Sequence, residues 1–358
     1  MIKHAILVNP ALRGVEYGML RDFEDEIARI TSAVRVEILH RNVPRVRRVV
    51  YGSFLRKFAP ALRRFAPKAR IPQNHREHLK VDVLWAILMG PSDFLLDAYR
   101  GWSDSAGKKI LYLFDTFESQ IPAINRILTC ARWDLTITSF HGAVPMLEER
   151  TQRKWYAVPQ GVIANRFQPG ASAERLIHFS SYGRRLDWAH RSLLEYCRHN
   201  SKYYDYTTSA WMRNDVSPQE NYTHYAWHLA HSLFSICWPV EMTSPGRVST
   251  FSPVTCRWFE TAASGAVIVG KPPAEPGFSN LFGRDLVVPL EVESPSLVSD
   301  QWEDLWNRRE ILLKIAAERR AEMVSQWTWD GRIYDILALL GLSTVNVQKR
   351  DSAKQSIC

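Results

Sequence analysis

One stretch of the chain, residues 252–265, combines residue types that suit a phosphorylated ligand. Ser252 followed by Pro253 is typical of a helix that begins with a capping hydroxyl and a proline. Such a helix start presents unpaired backbone N–H groups and a positive dipole end to an anion. Arg257 would add a guanidinium to the same phosphate, and Glu260 would accept hydrogen bonds from ribose hydroxyls. These residues predict a nucleotide-binding helix start.

The same two charged residues also have a purely structural interpretation. Glu260 would then be a solvated position on an amphipathic helix. Arg257, three residues before it, would pair with its carboxylate along the helix surface. The residues alone leave both interpretations open.

Candidate catalytic residues follow two predicted strands in the first half of the chain. Asp115 and Glu118 come after the apolar run KILYLF, and His141 comes after DLTITSF. Loops at the carboxyl ends of parallel strands are where α/β proteins place their sites. A carboxylate or imidazole there would act as a general base, with Asp115 as the first choice. As the alternative, Asp115 would cap the next helix, and Ser139 would cap a helix with His141 in its first turn.

These residues must be positioned by alternating strands and helices, which the order of apolar segments predicts. In the first half, strands are predicted at 4–8, 34–39, 81–89, 109–114, 134–138 and 155–158, and helices at 20–31 and 93–100. In the second half, strands are predicted at 176–180, 204–208, 233–238 and 266–270, and helices at 188–199, 222–231, 254–264, 300–326 and 333–340. Continuous apolar strands between helices indicate parallel sheets covered on both faces.

The predicted fold is therefore α/β, with two doubly wound, Rossmann-like domains facing each other across a cleft. Residues 1–169 would form the first domain and residues 170–343 the second, with residues 344–358 as a polar tail. The last helices are expected to pack back on the first domain. Ligands of open α/β sheets bind in the crevice at the carboxyl ends of the strands.

Three segments resemble the GT-B glycosyltransferases, of the group-1 type and of the exostosin-like and CgeB-like types. R-x-F-E-x-x-A-x-G-A-V-I-V at 257–269, followed by a proline-containing loop that ends in FSNLF, resembles their donor-nucleotide half. PQGVIANRFQPG at 159–170 is similar to the linker that these enzymes carry as P-x-G-V-D-x-x-x-F-x-P. HFSSYGRR at 178–185 is similar to the strand and Gly-Arg loop that begins their second half.

The resemblance implies that residues 170–343 form the nucleotide-sugar-binding domain and residues 1–169 the acceptor-side domain, and it implies a role for each matching residue on the donor side. Glu260 would bind the nucleotide ribose, and Ser252 with Arg257 at the helix start would hold the diphosphate. Arg184 or Arg185, from the Gly-Arg loop, would supply a second cation to that diphosphate; as the alternative, these two are ordinary surface charges.

Two positions depart from the group-1 pattern. The Glu that normally precedes the ribose-binding Glu by eight residues is Ser252 here. The Lys that normally follows the Gly-Arg loop is missing, with His190 and Arg191 nearby. The resemblance therefore leaves open both the donor sugar and whether its configuration is retained or inverted.

The net charge of +9 is concentrated in residues 41–70, which hold ten basic residues and no acidic one, whereas the rest of the chain holds 36 basic and 37 acidic residues. One interpretation is an amphipathic helix that docks on anionic lipid near a lipid-linked acceptor. Another is a groove for a polyanionic acceptor, an acidic glycan or nucleic acid. The third is a core-packing helix with solvated arginines. The acceptor-binding candidates are Arg47, Arg48, Arg63 and Arg64.

Other classes of protein are disfavoured by missing signals. The sequence has no D-x-D motif, and the acidic cluster 22–26 is interpreted as the solvated face of the first helix, so no metal site and no cofactor are expected. It has no G-x-x-x-x-G-K-[ST] and no G-x-G-x-x-G, which argues against a P-loop and a dinucleotide fold. Five cysteines without C-x-x-C spacing suggest a reducing cytoplasm, and the lipid interpretation adds contact with the inner membrane face.

The sequence thus predicts a metal-independent glycosyltransferase that moves a sugar from a UDP- or GDP-linked donor to a glycan, lipid-linked or other polyanionic acceptor. Two alternatives remain at this point. One is a DNA-modifying glycosyltransferase that acts on a modified base, and the other is a non-catalytic nucleotide-sugar- or glycan-binding protein of the same fold.

Overall fold

The computed structural model describes residues 2–8, 16–37, 69–70, 77–90, 99–100, 102–104, 106–169, 175–207, 217–247, 250–283, 286–291 and 295–342. Its strands are β1 (His4–Val8), β2 (Val34–Glu37), β3 (Ala69–Arg70), β4 (Val83–Leu88), β5 (Tyr99–Arg100), β6 (Lys108–Leu113), β7 (Leu135–Thr138), β8 (Tyr156–Ala157), β9 (Ile177–Ser181), β10 (Tyr204–Tyr206), β11 (Ser232–Cys237), β12 (Val267–Gly270) and β13 (Val287–Pro289). Its helices are α1 (Glu16–Thr31), α2 (Ile121–Leu128), α3 (Val144–Thr151), α4 (Asp187–His199), α5 (Pro218–Ala230), α6 (Val240–Thr243), α7 (Cys256–Ser264), α8 (Pro276–Phe282), α9 (Pro295–Asn307), α10 (Arg309–Gln326) and α11 (Trp329–Leu339).

Two parallel sheets form the two halves of the molecule. The first has the order β2-β1-β4-β6-β7-β8, and the second has the order β10-β9-β11-β12-β13. All six residues of β4, VLWAIL, are buried, as expected for a strand covered by helices on both faces. In each sheet the strand order reverses once, beside β1 in the first sheet and beside β9 in the second. The predicted α/β class with two Rossmann-like domains is confirmed, and such reversal points are where ligands bind.

The halves meet along a seam formed by α1 and α5. Gly18 of α1 is so close to Tyr222 of α5 that a Cβ built on Gly18 would lie 2.3 Å from the Tyr222 Cβ. The core beneath this seam is continuous, because buried side chains of both sheets, such as Ile6 and Ile268, belong to one cluster. The seam therefore fixes how the two sheets face each other.

The chain returns to the first half at its last helix. The N–H of Val162 donates to the carbonyl of Trp327 (3.1 Å), and the N–H of Trp329 donates to the carbonyl of Val162 (3.2 Å). The Trp329 ring stacks on Phe23 of α1, with 4.3 Å between ring centroids. This contact places α11 against the first half.

Several elements differ from the sequence prediction. The single helix expected at 300–326 is two helices, α9 and α10, separated at Arg308, where φ is −94° and ψ is 4°. A one-residue break hardly changes the periodicity, so the pattern did not reveal it. Most of the helix expected at 93–100 lies outside the described residues, but Tyr99–Arg100 is a strand that pairs with Ala69–Arg70. No helix of the described residues is long and apolar enough to cross a membrane.

The acidic cluster 22–26 is a solvated face only in part, because Asp25 is exposed whereas Asp22 and Glu24 are buried, so the expectation is wrong for these two. Asp22 and Glu24 are each only 1% exposed. Asp22 accepts two hydrogen bonds of 2.6 Å from Arg166, whose guanidinium also donates to Thr223 of α5 (2.8 Å). Glu24 forms an ion pair with Arg21 at 2.6 Å. Helix α1 can bury Asp22 and Glu24 because each pairs with an arginine. The partner of Asp22, Arg166, is distant in sequence, and the partner of Glu24, Arg21, lies about one turn before it.

Burial of Glu24 predicts an unusual dependence of stability on pH. Desolvation raises the pKa of this carboxyl to about 7 despite the attraction of Arg21. The stabilising contribution of Glu24 is therefore complete below its ordinary pKa of 4.5 and is lost as the pH rises through about 7. We expect Glu24→Gln to raise the free energy of unfolding by about 1–3 kcal/mol at pH 8 and to change it little at pH 5. Chemical denaturation at both pH values measures this.

Asp25→Asn is the matched control, because Asp25 lies next to Glu24 but is 47% exposed in its ion pair with Arg35. This control should show no such gain at pH 8. Equal behaviour of the two variants would contradict the assignment to Glu24.

Candidate functional site

A cleft of about 620 Å³ lies between the two sheets, within the size range of small-molecule sites. The first half contributes loops that follow β4 and β6, including Met89 and Asp115, together with Gln160 of the linker. The second half contributes the turn after β9, the inner face of α5 and the start of α7. Both halves thus contribute residues at the carboxyl ends of their strands, as expected for open α/β sheets.

Helix α7 begins later than the sequence suggests. Its N-cap is Thr255, so the expected cap at Ser252 with Pro253 in the first turn is wrong. The N–H of Val254 donates to the buried carboxylate of Glu275 (3.3 Å), which keeps this segment extended. Ser252 is buried, and its hydroxyl donates to Glu241 rather than facing the cleft. The residues that line the cleft at the helix start are Thr255, Cys256 and Arg257.

Three arginines line the second-half wall of the cleft: Arg184, Arg247 and Arg257. Arg257 donates to the carbonyl of Arg184 (3.2 Å) and fits against Gly183, where φ is +80° and a Cβ would lie 2.1 Å from the Arg257 Nη2. Only glycine suits both this backbone conformation and this contact. Burial, and then the positive charges of Arg247 and Arg257, lower the pKa of Arg184. The cluster therefore favours an anionic ligand.

Arg185 has a different environment from Arg184. Its guanidinium donates to the carbonyl of Thr207 (3.0 Å) and lies over the ring of Tyr206, 5.1 Å from the centroid. Of the two arginines in the Gly-Arg loop, Arg184 lines the cleft, whereas Arg185 packs against Tyr206 of β10. Arg247 lies in a 3₁₀ helix, Pro245–Arg247, and sequence reasoning missed it because no motif marks this loop.

Glu260 is 3% exposed and lies in the floor of the cleft, not on a solvated helix face. Its two carboxylate oxygens accept hydrogen bonds from the hydroxyls of Tyr222 (2.6 Å) and Tyr225 (2.8 Å). Burial raises the pKa of Glu260, while the tyrosine hydroxyls and Arg257 act in the opposite direction. A carboxylate has about four acceptor sites, so this one can still accept ribose hydroxyls.

Tyr222 and Tyr225 are functional candidates that the sequence did not single out. The available signal was a pair of tyrosines three residues apart on the predicted helix 222–231, which places both on one helix face. Only the packing of α5 against α1 and α7 turns that face toward Glu260.

The first-half candidates separate in the structure. Asp115 lines the cleft and forms an ion pair with Arg247, at 3.5 Å between Oδ2 and Nη2. Glu118 pairs with Arg150 at 3.5 Å, and His141 is exposed at the start of a 3₁₀ helix; neither lines the cleft. The two helical turns that follow are capped by other residues, so the alternative roles of Asp115 and Ser139 as N-caps are wrong.

The four predicted acceptor-binding arginines cannot be placed relative to the cleft. Arg47, Arg48, Arg63 and Arg64 lie outside the described residues. Within the described part of the chain, no group of three or more His, Cys, Asp or Glu side chains is arranged to hold a metal ion.

The fold of the described residues is that of the GT-B glycosyltransferases. It is similar to HepE from Anabaena in complex with UDP-glucose (TM-score 0.55, 10% identity, 95% of this chain and 100% of that chain). It is also similar to a glycosyltransferase from Rickettsia africae (TM-score 0.53, 12% identity, 96% and 99%). A third is an alpha-glucosyltransferase in complex with UDP and a 13-mer DNA (TM-score 0.53, 12% identity, 94% and 100%). Identities this low establish the fold and no more.

Residues 170–338 match the family model described as glycosyl transferase-like. No curated protein matches the sequence. The family match covers the half that carries the arginine cluster and Glu260, so this half is similar to glycosyl transferases in sequence as well as in fold.

Proposed function

We propose that the protein transfers a sugar from a nucleotide-sugar donor to an acceptor hydroxyl, with arginines in place of a metal ion at the donor diphosphate. The observation that carries this proposal is the placement of Arg184, Arg247 and Arg257 beside the buried Glu260, opposite Asp115, in one cleft. Cations, a hydroxyl acceptor and a carboxylate base are the parts that such a transfer needs.

On the donor side, the start of α7 and the arginine cluster would bind the diphosphate. Backbone N–H groups at a helix start and guanidinium groups both favour phosphate oxygens. Glu260, deeper in the cleft, would accept hydrogen bonds from the ribose. The nucleotide is UDP or GDP, and the uridine form is supported by structural neighbours that hold UDP or UDP-glucose.

During transfer, the bond between the anomeric carbon and the diphosphate oxygen breaks, and its electron pair leaves on the diphosphate. The arginines would stabilise the charge that develops on this leaving group, the role that a divalent cation serves elsewhere. The new bond forms between the anomeric carbon and the acceptor oxygen. If the configuration is inverted, Asp115 takes the acceptor proton, because among the described residues of the first half it is the carboxylate that lines the cleft.

The acceptor is proposed to be anionic, a glycan, a lipid-linked molecule or a nucleic acid. The support is the composition of residues 41–70, which hold ten basic residues and no acidic one within the sequence of the first half. A DNA acceptor is favoured by one further observation, since a protein of the same fold is known in complex with UDP and DNA. Binding to duplex DNA that weakens steeply with salt would favour nucleic acid, whereas binding only to anionic vesicles would favour a lipid-linked acceptor.

The donor proposal is tested by calorimetry and by release of nucleotide from a panel of UDP- and GDP-sugars, with and without EDTA. We expect Glu260→Gln to weaken UDP binding by about 10-fold, the loss of one hydrogen bond to a charged acceptor. The same substitution should change the affinity for 2′- or 3′-deoxy-UDP much less, because one ribose hydroxyl is already missing. Activity in EDTA should persist.

Glu303→Gln is the matched control, since Glu303 also accepts a hydrogen bond from a tyrosine, Tyr196 at 2.8 Å, but lies on α9 away from the cleft. This variant should bind UDP as the unmodified protein does. Absence of binding to every nucleotide sugar, or loss of activity in EDTA that Mg²⁺ or Mn²⁺ restores, would count against the proposal.

A further inference from the structure

Among the described residues, an ion pair between Asp115 and Arg247 crosses the cleft from one half of the protein to the other. Asp115 follows β6 in the first half, and Arg247 lies in the second half, with 3.5 Å between their Oδ2 and Nη2 atoms. Both side chains line the cleft, and they are 27% and 44% exposed. The pair therefore joins a residue assigned to the acceptor side with a residue of the donor-side cluster.

Arg247 is held in place independently of Asp115. Its guanidinium lies over the ring of Phe117, with 4.7 Å to the ring centroid. It is also close enough to Arg184 to influence that residue electrostatically, together with Arg257. Three positive charges in one wall repel one another unless an anion lies among them, and Asp115 is the carboxylate paired with this cluster.

A donor diphosphate would be a stronger anion for the same guanidinium. Partly exposed ion pairs are weak, because solvent screens them. Hydrogen bonds from arginine to phosphate oxygens are charge-assisted and often double. A nucleotide diphosphate that bound to the arginine cluster would therefore displace Asp115 from Arg247.

We propose that Arg247 is shared between two anions, pairing with Asp115 when the cleft lacks a nucleotide and with the donor diphosphate when the nucleotide is bound. This inference rests on the proposed function, since it takes the arginine cluster as the diphosphate site. Its consequence is that donor binding breaks the ion pair between Arg247 and the Asp115 carboxylate on the acceptor side. Arg247 is thus a positioning residue for the base as well as a ligand of the donor.

A double-mutant cycle on UDP binding tests the exchange. Asp115→Asn should tighten UDP binding by about 3- to 10-fold, because it removes the competing anion. Arg247→Gln should weaken UDP binding by about 10-fold, the loss of a bond to a charged group. In the Arg247→Gln background, Asp115→Asn should change the affinity for UDP by less than about 2-fold, because the shared group is gone.

Asp134→Asn serves as the matched control. Asp134 pairs with Lys108 at 3.7 Å, is 24% exposed, and lies by the opposite end of β6 from Asp115. Its substitution should leave the affinity for UDP unchanged. Thermal melts of all variants confirm that each is folded.

The outcomes separate the exchange from the proposed function. If Asp115→Asn raises the affinity for UDP by the same factor in the unmodified and the Arg247→Gln backgrounds, the effect is general electrostatics and the exchange is wrong. If UDP binds and Asp115→Asn does not tighten it, the exchange is wrong as well. If neither UDP, GDP nor inorganic pyrophosphate binds the unmodified protein, the donor site itself is wrong, and the exchange is overturned with it.

Discussion

Arg257→Gln is expected to weaken UDP binding by about 100-fold. Arg257 lies in the first turn of α7 at the cleft wall and donates to the carbonyl of Arg184 (3.2 Å), so it both binds phosphate and holds the Gly-Arg turn. Losing a charge-assisted, double hydrogen bond costs about 1.5–3 kcal/mol, and the disturbed turn adds to this cost. Calorimetry with UDP and with uridine isolates the phosphate contact. Uridine lacks phosphate, so it should bind the Arg257→Gln variant and the unmodified protein with similar affinity.

Arg320→Gln is a suitable control for that experiment. Arg320 also donates to a main-chain carbonyl of α7, that of Ala263 at 2.6 Å, but at the far end of the helix from the cleft. We expect this variant to lose stability without losing affinity for UDP. If Arg257→Gln and Arg320→Gln bound UDP equally well, Arg257 would not be a phosphate ligand.

Gly18→Ala is expected to cost about 3 kcal/mol of stability, or more. The added Cβ would lie 2.3 Å from the Cβ and 2.6 Å from the Cγ of Tyr222, and 2.9 Å from the carbonyl oxygen of Pro218. A Cβ and a backbone oxygen cannot rotate away, so α1 and α5 would have to separate, as in other overpacked cores. Because Tyr222 bonds Glu260, we also expect weaker UDP binding in the fraction that folds.

Gly246→Ala provides the comparison for stability. A Cβ at Gly246 would meet no atom within 4 Å, so this variant should unfold at nearly the same denaturant concentration as the unmodified protein. Chemical denaturation measures both. Equal stability of the two variants would show that the close approach of α1 and α5 is absent in solution.

The strands of the fold were predictable because a strand that is buried on both faces of a sheet has a continuous run of apolar residues. VLWAIL of β4 and VIVG of β12 read as buried strands from composition alone, and both are fully buried in the sheets. Arg257 and Glu260 could be singled out because their spacing places both near a helix start that follows a strand. The sequence was thus sufficient for elements whose structure depends on the residues within the element itself.

The rest depended on contacts between distant residues. The start of α7 was misplaced because the N–H of Val254 bonds the carboxylate of Glu275, 21 residues later. Arg247 and the pair Tyr222 and Tyr225 reach the cleft only through packing of the two halves. Asp22 was interpreted as solvated because its arginine partner, Arg166, lies 144 residues away. No periodicity in one segment encodes such partners.

The seam between α1 and α5 has a mechanical consequence. Arg166 of the linker ties Asp22 of α1 to Thr223 of α5, and Gly18 touches Tyr222 a short distance away. Pulling these helices apart would leave a buried carboxylate without its guanidinium, which is expensive. If the width of the cleft changes, we therefore expect the two halves to rotate about this seam, with these contacts kept. Away from the seam, Glu275 of the second half accepts a hydrogen bond from the N–H of Gly142 of the first (2.7 Å), and we expect such a rotation to break this bond.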